Sequence, residues 1–576
     1  MAFRTPETPS WSSRRRRRLA ALLALSLGLS ACASLQVDSA SKGVTPLAQS
    51  LGTFRGGDDL LTAGLGWEGL ASPTPPAFDG SADSLRRRAV WSNWRGIAQI
   101  SEQGLGAAML QRPAVPGREL HALLELHREG GRHRVMLQLP DSFDVQRPCL
   151  VVSASSGSRG IYGAIALAGG WGLPRGCAVA YTDKGGGTDW IAPGAIRGPQ
   201  LDGRLTTTSD GTARYALAGP ASGVAIPHLH SAANPEAEWG EYVRQAAAWA
   251  REQLAALVPG LDAVDESAWR IIATGVSNGG GAVLQAAALD WRVDAIVAVS
   301  PNVLPETGGR ALFDYATEAA LWMPCAAGAE TLRGALLAVD PAASQARCRS
   351  LQEAGMLARR VGAESAAEAA LAHLRGLGWT PAALESAVAS TRLDLWRAVA
   401  AGYASAYLRR GPDNMPCGYR YAMATGSDPA LWWSDSSGIP PGAGVLLEDA
   451  QTSGEDPHFA GLMCLRQLWE GQSEEAQSLR AAIEQTRAGA PRRGLPIWLL
   501  HGTDDGLVPL AFSSAAWAQA HHAQGGLRYQ PLPRAQHFDA LLGLPGAAER
   551  YTALMPSAYA ALDAAWAMLG ASPAVD

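Results

Sequence analysis

The first sustained alternation of apolar and polar positions falls in ELHALLELHREGGRHRVMLQLP, residues 119 to 140. Its period-two segments flank Glu129, Gly130 and Gly131, which predicts a β-hairpin. CLVVSAS (149–155) and CAVAYTD (177–183) follow as short apolar runs, each ending in a glycine-rich loop, SGSRGIYG and KGGG. Runs of that length without alternation suit strands buried on both faces. At Asn234, which reads as an N-cap, the pattern changes. Pro235 occupies a first helical position, Glu236 and Glu238 fall in the first turn, and an alanine-rich run continues to Leu257, which predicts a helix.

WRIIATG then reads as a strand, NGGGAVLQAAAL as a helix and DAIVAVS as another strand, and alternation of this kind predicts a parallel sheet. Strand patterns stop at Pro305 and resume only at LPIWLLHG (495–502) and LRYQPLP (527–533). The interval has helix starts instead: Ser365 with Glu368 as a capping box, and Thr380 before Pro381. It is too long for a loop. The expected fold is therefore α/β, an α/β-hydrolase-like, mostly parallel sheet with a large, mostly helical lid. Residues 116–305 and 491–576 form the catalytic core and 306–490 the lid. Residues 34–115 mix Gly, Pro, Ser and Arg without sustained period and are expected to form an extended arm around the core.

The N-terminus carries a basic run, Arg14 to Arg18, then LAALLALSLGLSA and small residues, the three-part pattern of a secretory signal over residues 1–33. Leu29 to Cys32 also resembles a bacterial lipobox, whereas Ala31-Cys32-Ala33 suits ordinary cleavage, so a secreted protein (extracellular or periplasmic) and one lipid-anchored at Cys32 both remain open. The apolar run is shorter than the roughly 20 residues needed to span a bilayer, and no transmembrane segment is expected in the mature chain. Six cysteines remain beyond the leader: Cys149, Cys177, Cys325, Cys348, Cys417 and Cys464. An even number in an exported chain predicts disulfides, with sequence neighbours favoured as partners. No CxxC pair or Cys/His cluster suggests a metal site. Composition is that of a globular protein, 47% hydrophobic and 18% charged, and a net charge of −5 without a basic stripe argues against nucleic acid as a partner.

The chemistry concentrates at Gly275-Val276-Ser277-Asn278-Gly279, a G-x-S-x-G turn between a strand pattern and a helix pattern. Glycines there permit the crowded turn that lifts a serine hydroxyl out of a sheet, making Ser277 the candidate nucleophile. A serine needs a base, an acid to orient the base, and donors for the developing oxyanion. The acid candidate lies in HGTDDGLVP after an apolar strand. Asp505 stands four residues before Pro509, as in the H-G-x-x-D-x-x-V-P segment of many α/β-hydrolases, with Asp504 or a simple helix-capping role as the alternatives. His537, after the last strand pattern, completes the order Ser, Asp, His. It is favoured over His501, which belongs to the acid loop, and over His521 and His522, which fall in a helix pattern.

The backbone N–H of Asn278 is the expected first oxyanion donor. The turn SSGSRG, through Ser156 and Gly157, is the candidate for the second, although it also suits a structural turn or an anion nest. It is no P-loop, because no G-K-[ST] follows, and Lys184-Gly185-Gly186-Gly187 lacks the dinucleotide pattern, so no cofactor is expected. Trp432 and Trp433, in the inserted region, could line an apolar substrate groove or fill the core.

SSGSRGIYGA, AYTDKGGG, HLHSAANPEAEWG and TGVSNGGG together resemble the D-(−)-3-hydroxybutyrate oligomer hydrolase family, over nearly the whole mature chain. The resemblance implies an exported bacterial serine esterase that hydrolyses short 3-hydroxybutyrate oligomers to monomers, downstream of poly(3-hydroxybutyrate) depolymerases, without a cofactor. It carries the nucleophile onto Ser277 by motif. Asp505 and His537 rest on the fold argument. An esterase or peptidase of other specificity, or a non-catalytic polymer-binding surface lipoprotein, are the alternatives.

Overall fold

The structure is a computed structural model that describes residues 44–101, 104–106, 109, 111–126, 131–157, 159–184, 190, 197–207, 223–358, 365–426 and 445–570. The leader with Cys32, Glu129 and Gly130 of the hairpin turn, the loop Gly185 to Gly187, and Trp432 and Trp433 lie outside the described residues.

Short apolar runs form the central strands of the sheet, and more polar segments form the outer ones. In chain order the strands are β1 Ala48–Phe54, β2 Gly117–Glu125, β3 Arg132–Pro140, β4 Cys149–Ala154, β5 Ala178–Thr182, β6 Arg197–Pro199 and β7 Leu205–Thr207. After these come β8 Arg270–Val276, β9 Ala295–Val299, β10 Tyr419–Met423, β11 Val445–Asp449, β12 Ile497–Gly502 and β13 Leu527–Leu532. Nine of them make one sheet in the order β1-β2-β3-β5-β4-β8-β9-β12-β13. The pairs β1/β2, β2/β3 and β3/β5 are antiparallel, and every pairing from β5 to β13 is parallel. That order and these strand directions are the α/β-hydrolase arrangement, preceded by an extra antiparallel edge strand.

Side chains alternate between two faces of the sheet. Along β4, Val151 packs into one core with Trp94, Trp171 and Leu562, while Leu150 and Val152 pack into the other with Trp249 and Val283. Both faces are dry because helices cover them, which is why these strands read as continuous apolar runs. Helices α1 Ala82–Ile97 and α12 Met555–Met568 cover the first face. The second is covered by α2 Pro235–Leu257, α3 Asn278–Ala286 and α11 Ser514–His521. The expected helix from Pro235 is present, but Asn234 does not cap it through its side chain, whose Nδ2 donates instead to the Ala482 carbonyl at 2.9 Å.

The expected extended arm needs correction. From Ala48 the segment is part of the sheet, with β1 paired to β2 from Ala48↔Leu123 to Phe54↔Gly117. Further on, Ser81 Oγ caps α1 by accepting from Ser84 N, and Leu85, Ala89, Val90, Trp94 and Ile97 bury one helical stripe. Arg86 to Arg88 disguise that stripe, since Arg86 is itself buried, with its guanidinium bonded to Asp58, Glu119 and the Asp59 carbonyl. A buried, paired arginine interrupts a hydrophobic pattern without interrupting the core.

The insertion is helical as expected: α4 Leu312–Ala326, α5 Pro341–Glu353, α6 Ala366–Gly376, α7 Pro381–Arg392, α8 Leu395–Tyr407, α9 Phe459–Glu470 and α10 Glu474–Glu484. Ser365 Oγ accepts from Glu368 N and Thr380 Oγ1 from Ala383 N, so both expected starts are capped. It also contains the antiparallel pair β10/β11, which sequence pattern did not signal. Among the described residues no helix is long and apolar enough to cross a membrane.

The disulfides pair sequence neighbours: Cys149 with Cys177, Cys325 with Cys348, and Cys417 with Cys464. Cys325–Cys348 joins α4 to α5 across 23 residues. We expect the double variant Cys325→Ser/Cys348→Ser to lose about 2–4 kcal/mol through the freed loop entropy of the unfolded chain. A urea midpoint equal to that of the wild type would contradict this.

Candidate active site

Parallel pairing carries the exits of β8, β12 and β13 to one edge, the carboxyl edge where ligands of open α/β sheets are held. At the end of β8, Ser277 stands at φ 59° and ψ −126°, a region that non-glycine residues occupy only when their surroundings enforce it. The enforcement is backbone packing. Ser277 N donates to the Val299 carbonyl at 2.9 Å, and the Ser277 carbonyl accepts from Gly281 N and Asn302 N, each at 3.0 Å. A Cβ at Gly275 would overlap the backbone of Gly279, and a Cβ at Gly279 would overlap the Ala154 carbonyl. Only glycine fits at either end of this turn.

His537, in the loop after β13, places Nε2 2.8 Å from Ser277 Oγ and Nδ1 2.6 Å from Asp505 Oδ2. Asp505 lies in the loop after β12, fully buried. Its Oδ1 accepts from Leu507 N at 2.9 Å and Val508 N at 2.7 Å, and its Oδ2 also accepts from His501 Nε2 at 3.0 Å. Burial works to raise the Asp505 pKa, but the charge of His537 and the hydrogen bonds of both histidines outweigh it and hold the carboxyl well below its usual range. Asp504, by contrast, is turned away, accepting from Thr503 Oγ1 at 2.7 Å. His501 therefore helps to position the acid. The sequence places it in the acid loop but does not show that its ring shares the carboxylate. His521 sits at the end of α11 and His522 just beyond it, both apart from this cluster.

Ser277, Asn278, Ser156, Gly157 and His537 line a common cavity of about 380 Å³. Asn278 opens α3, so its N–H has no acceptor within the helix. Gly157 has φ 53°, and Ser156 Oγ is buried without a hydrogen-bond partner among the described residues. The remaining wall is largely apolar and is shared between the insertion, with Leu312, Ala389, Leu393, Leu395 and Val399, and the core, with Leu507, Val508 and Leu541. A hollow of about 900 Å³ elsewhere in the insertion, between Glu330 and Glu368, holds none of these groups. Among the described residues no cluster of three or more His, Cys, Asp and Glu side chains is placed to hold a metal ion.

Behind Asn278 lies a second buried charge cluster. Asn278 Nδ2 donates to Tyr403 OH at 2.6 Å and to Glu236 Oε2 at 3.3 Å. Glu236 Oε1 accepts from Lys184 Nζ and, at 2.7 Å, from His228 Nε2. Glu236, Lys184 and His228 are all buried. Burial pushes His228 down to about 4, keeping it neutral at pH 7. Burial alone would raise Glu236, yet the Lys184 charge and the His228 hydrogen bond bring it from 4.5 to about 2. Sequence reading found Glu236 only as a first-turn helix acid and Lys184 only as the start of a glycine loop. His228 appeared only within HLHSAANPEAEWG, with no role attached, and Tyr403 carried no signal.

A carboxylate with a depressed pKa stabilises the fold above its unfolded value, here 4.5, and loses that contribution as pH falls towards 2. We therefore expect Glu236→Gln to be less stable than the wild type by roughly 3 kcal/mol at about pH 7, with a visibly smaller deficit at about pH 3. Urea midpoints at the two pH values test this, and a deficit that does not change with pH would refute it.

A sequence model of the 3HB-oligomer hydrolase family matches residues 38–575. The D-(−)-3-hydroxybutyrate oligomer hydrolase of Paracidovorax citrulli is 34% identical, over 89% of this chain and 85% of that one. The protein of the same name from Burkholderia vietnamiensis is 36% identical, over 88% and 84%. Among solved structures, feruloyl esterase B from Aspergillus oryzae covers 74% of this chain and 75% of its own, at 11% identity and a TM-score of 0.35, too low to add to the fold described above.

Proposed function

The chain belongs to the 3HB-oligomer hydrolase family and is a carboxylic ester hydrolase, and on that premise we propose that it cleaves D-(−)-3-hydroxybutyrate oligomers to monomers through an acyl-enzyme on Ser277. The observation that carries this reading is the continuous hydrogen-bonded path Ser277–His537–Asp505 at the wall of a mostly apolar cavity.

In this mechanism His537 Nε2 takes the Ser277 proton as Oγ attacks the ester carbonyl carbon. Asp505 holds the Nδ1–H tautomer and stabilises the imidazolium that forms. Negative charge on the carbonyl oxygen is received by the Asn278 N–H and by the turn at Ser156 and Gly157. As the intermediate collapses, the ester C–O bond breaks and His537 returns the proton to the leaving hydroxyl of the released hydroxyacid. Water, deprotonated by the same His537, then attacks the acyl-enzyme and frees Ser277 with the second hydroxyacid. Protein groups and water supply every step.

The insertion acts as the lid over this site. Its leucines and valine make an apolar slot for the methyl-bearing C4 units and exclude bulk water from the reacting centre. The basic-apolar leader and the six paired cysteines support export, with lipid attachment at Cys32 as the alternative to release.

Product analysis on 3-hydroxybutyrate dimer and trimer, alongside feruloyl esters and peptides, tests the reading. The wild type should release monomer and prefer the hydroxybutyrate substrates. Ser277→Ala should lose activity by about 10⁴-fold or more and no longer be labelled by a fluorophosphonate. Monomer release undiminished in Ser277→Ala would overturn the mechanism, and a preference for feruloyl esters or peptides would overturn the substrate.

A further inference from the structure

The cavity is neutral except at one place. Apart from His537, Arg159 is the only ionisable cationic side chain among the described residues that line it, and no Asp or Glu lines it. Its guanidinium rests against Gly96 of α1, where a Cβ would overlap the planar group, so a residue without a side chain makes the berth. Arg159 is half-buried, whereas three buried arginines are matched by carboxylates: Arg86 meets Glu119, Arg347 meets Asp456 and Arg466 meets Asp314. Arg159 has no ion-pair or hydrogen-bond partner for its side chain among the described residues. The carboxylate bonded to His537 and the one two residues after it are already occupied. Asp505 is held by two histidines and two backbone amides, and Asp539 accepts from Leu554 N and Met555 N.

A half-buried guanidinium without a counter-anion is unfavourable, and arginine does not escape by losing its proton. Burial pushes Arg159 down only to about 10, which leaves it cationic at neutral pH. A planar fork of donors, in a cavity otherwise built for apolar groups, is suited to a carboxylate that binds through two parallel hydrogen bonds. The backbone of Arg159 is fixed to the same turn as the candidate oxyanion donors, since its N–H donates to the Ser156 carbonyl at 2.9 Å. An anion held there is therefore at a fixed offset from the reacting carbonyl.

A linear hydroxyacid oligomer has a hydroxyl at one end and a free carboxylate at the other. The carboxylate belongs to the alcohol side of the scissile ester, the side that leaves first. Resting on the substrate class proposed above, we propose that Arg159 receives this terminal carboxylate, so that the enzyme counts from the acid end of the oligomer and disfavours esters without such an end. An interior segment of a long polymer offers no anion to this berth and leaves the cation unpaired, which separates oligomers from polymer by charge rather than by size.

The test compares kcat/KM for 3-hydroxybutyrate trimer as the free acid and as its methyl ester. The wild type should prefer the free acid by roughly 10- to 100-fold. In Arg159→Met that ratio should fall to about one, in Arg159→Lys to an intermediate value, and in Gly96→Ala, which displaces the guanidinium, below that of the wild type. General damage to the fold lowers both rates and cancels in the ratio. A wild type that cleaves both forms equally overturns the anchor and leaves the oligomer reading standing, as does a preference retained in Arg159→Met. A wild type that cleaves neither form overturns the substrate class and the anchor with it.

Discussion

The backbone at Ser277 is the constraint on which the rest of the site depends. An L-residue at φ 59° and ψ −126° does not hold that conformation alone. Here β8 enters from one side, α3 leaves on the other, and the carbonyl of Val299 with the amides of Gly281 and Asn302 takes up the hydrogen bonds of the turn. Close passage of the turn past its own helix and past β4 excludes any Cβ at Gly275 and Gly279. The strained hydroxyl thereby emerges at the carboxyl edge of the sheet, and the loops after β12 and β13 leave at the same edge because both strands run parallel to β8.

Two buried charge clusters flank that turn. On one side Asp505 is held ionised by His537, His501 and two backbone amides, which fixes the tautomer and tilt of the imidazole facing Ser277. On the other, Glu236 is held ionised by Lys184 and His228 and receives the Asn278 side chain. Each anion sits in a nest of donors, so neither is an uncompensated charge in the interior. Their effects differ. The first cluster orients His537, the proposed base, whereas the second anchors the residue whose N–H opens α3 beside Ser277, and so holds the rim where the proposed mechanism places negative charge.

What the sequence made legible follows from how local each requirement is. Strands β4 and β5 were readable almost to the residue, because burial on both faces demands a continuous apolar run and glycine marks its end. The turn at Ser277 was readable because its glycines answer a steric need spanning a few positions. Asp505 and His537 were readable from chain order together with the loops that follow strands, and the structure sets Asp504 aside by turning it towards Thr503. The Glu236 cluster was not legible, since its partners lie 52, 8 and 42 residues away in sequence and meet only after the sheet has formed. Helix α1 was hidden by Arg86 to Arg88, whose charges break the apolar stripe even though Arg86 is paired and buried. The pair β10/β11 was missed because its strands are partly exposed and lie inside a helical region, where no alternation of faces is imposed on both.

The contrast between Lys184 and Arg159 shows how the core and the insertion divide the work. Lys184 lies fully inside the protein and has Glu236 as a permanent partner, with the rings of Trp239 and Tyr403 within 5.5 Å. That cation is complete without a ligand and can only support structure. Arg159 stands at the cavity, on the turn beside Ser156, between a core that carries Ser277 and an insertion that contributes a largely apolar wall without a carboxylate among the described residues. An apolar wall alone distinguishes ligands weakly, by about a factor of 10–200 per methylene, whereas a polar group that must find its partner discriminates far more strongly. In the proposed reading the helical insertion selects for shape and dryness, and Arg159, without an ion-pair partner among the described residues, selects which end of an ester chain is taken.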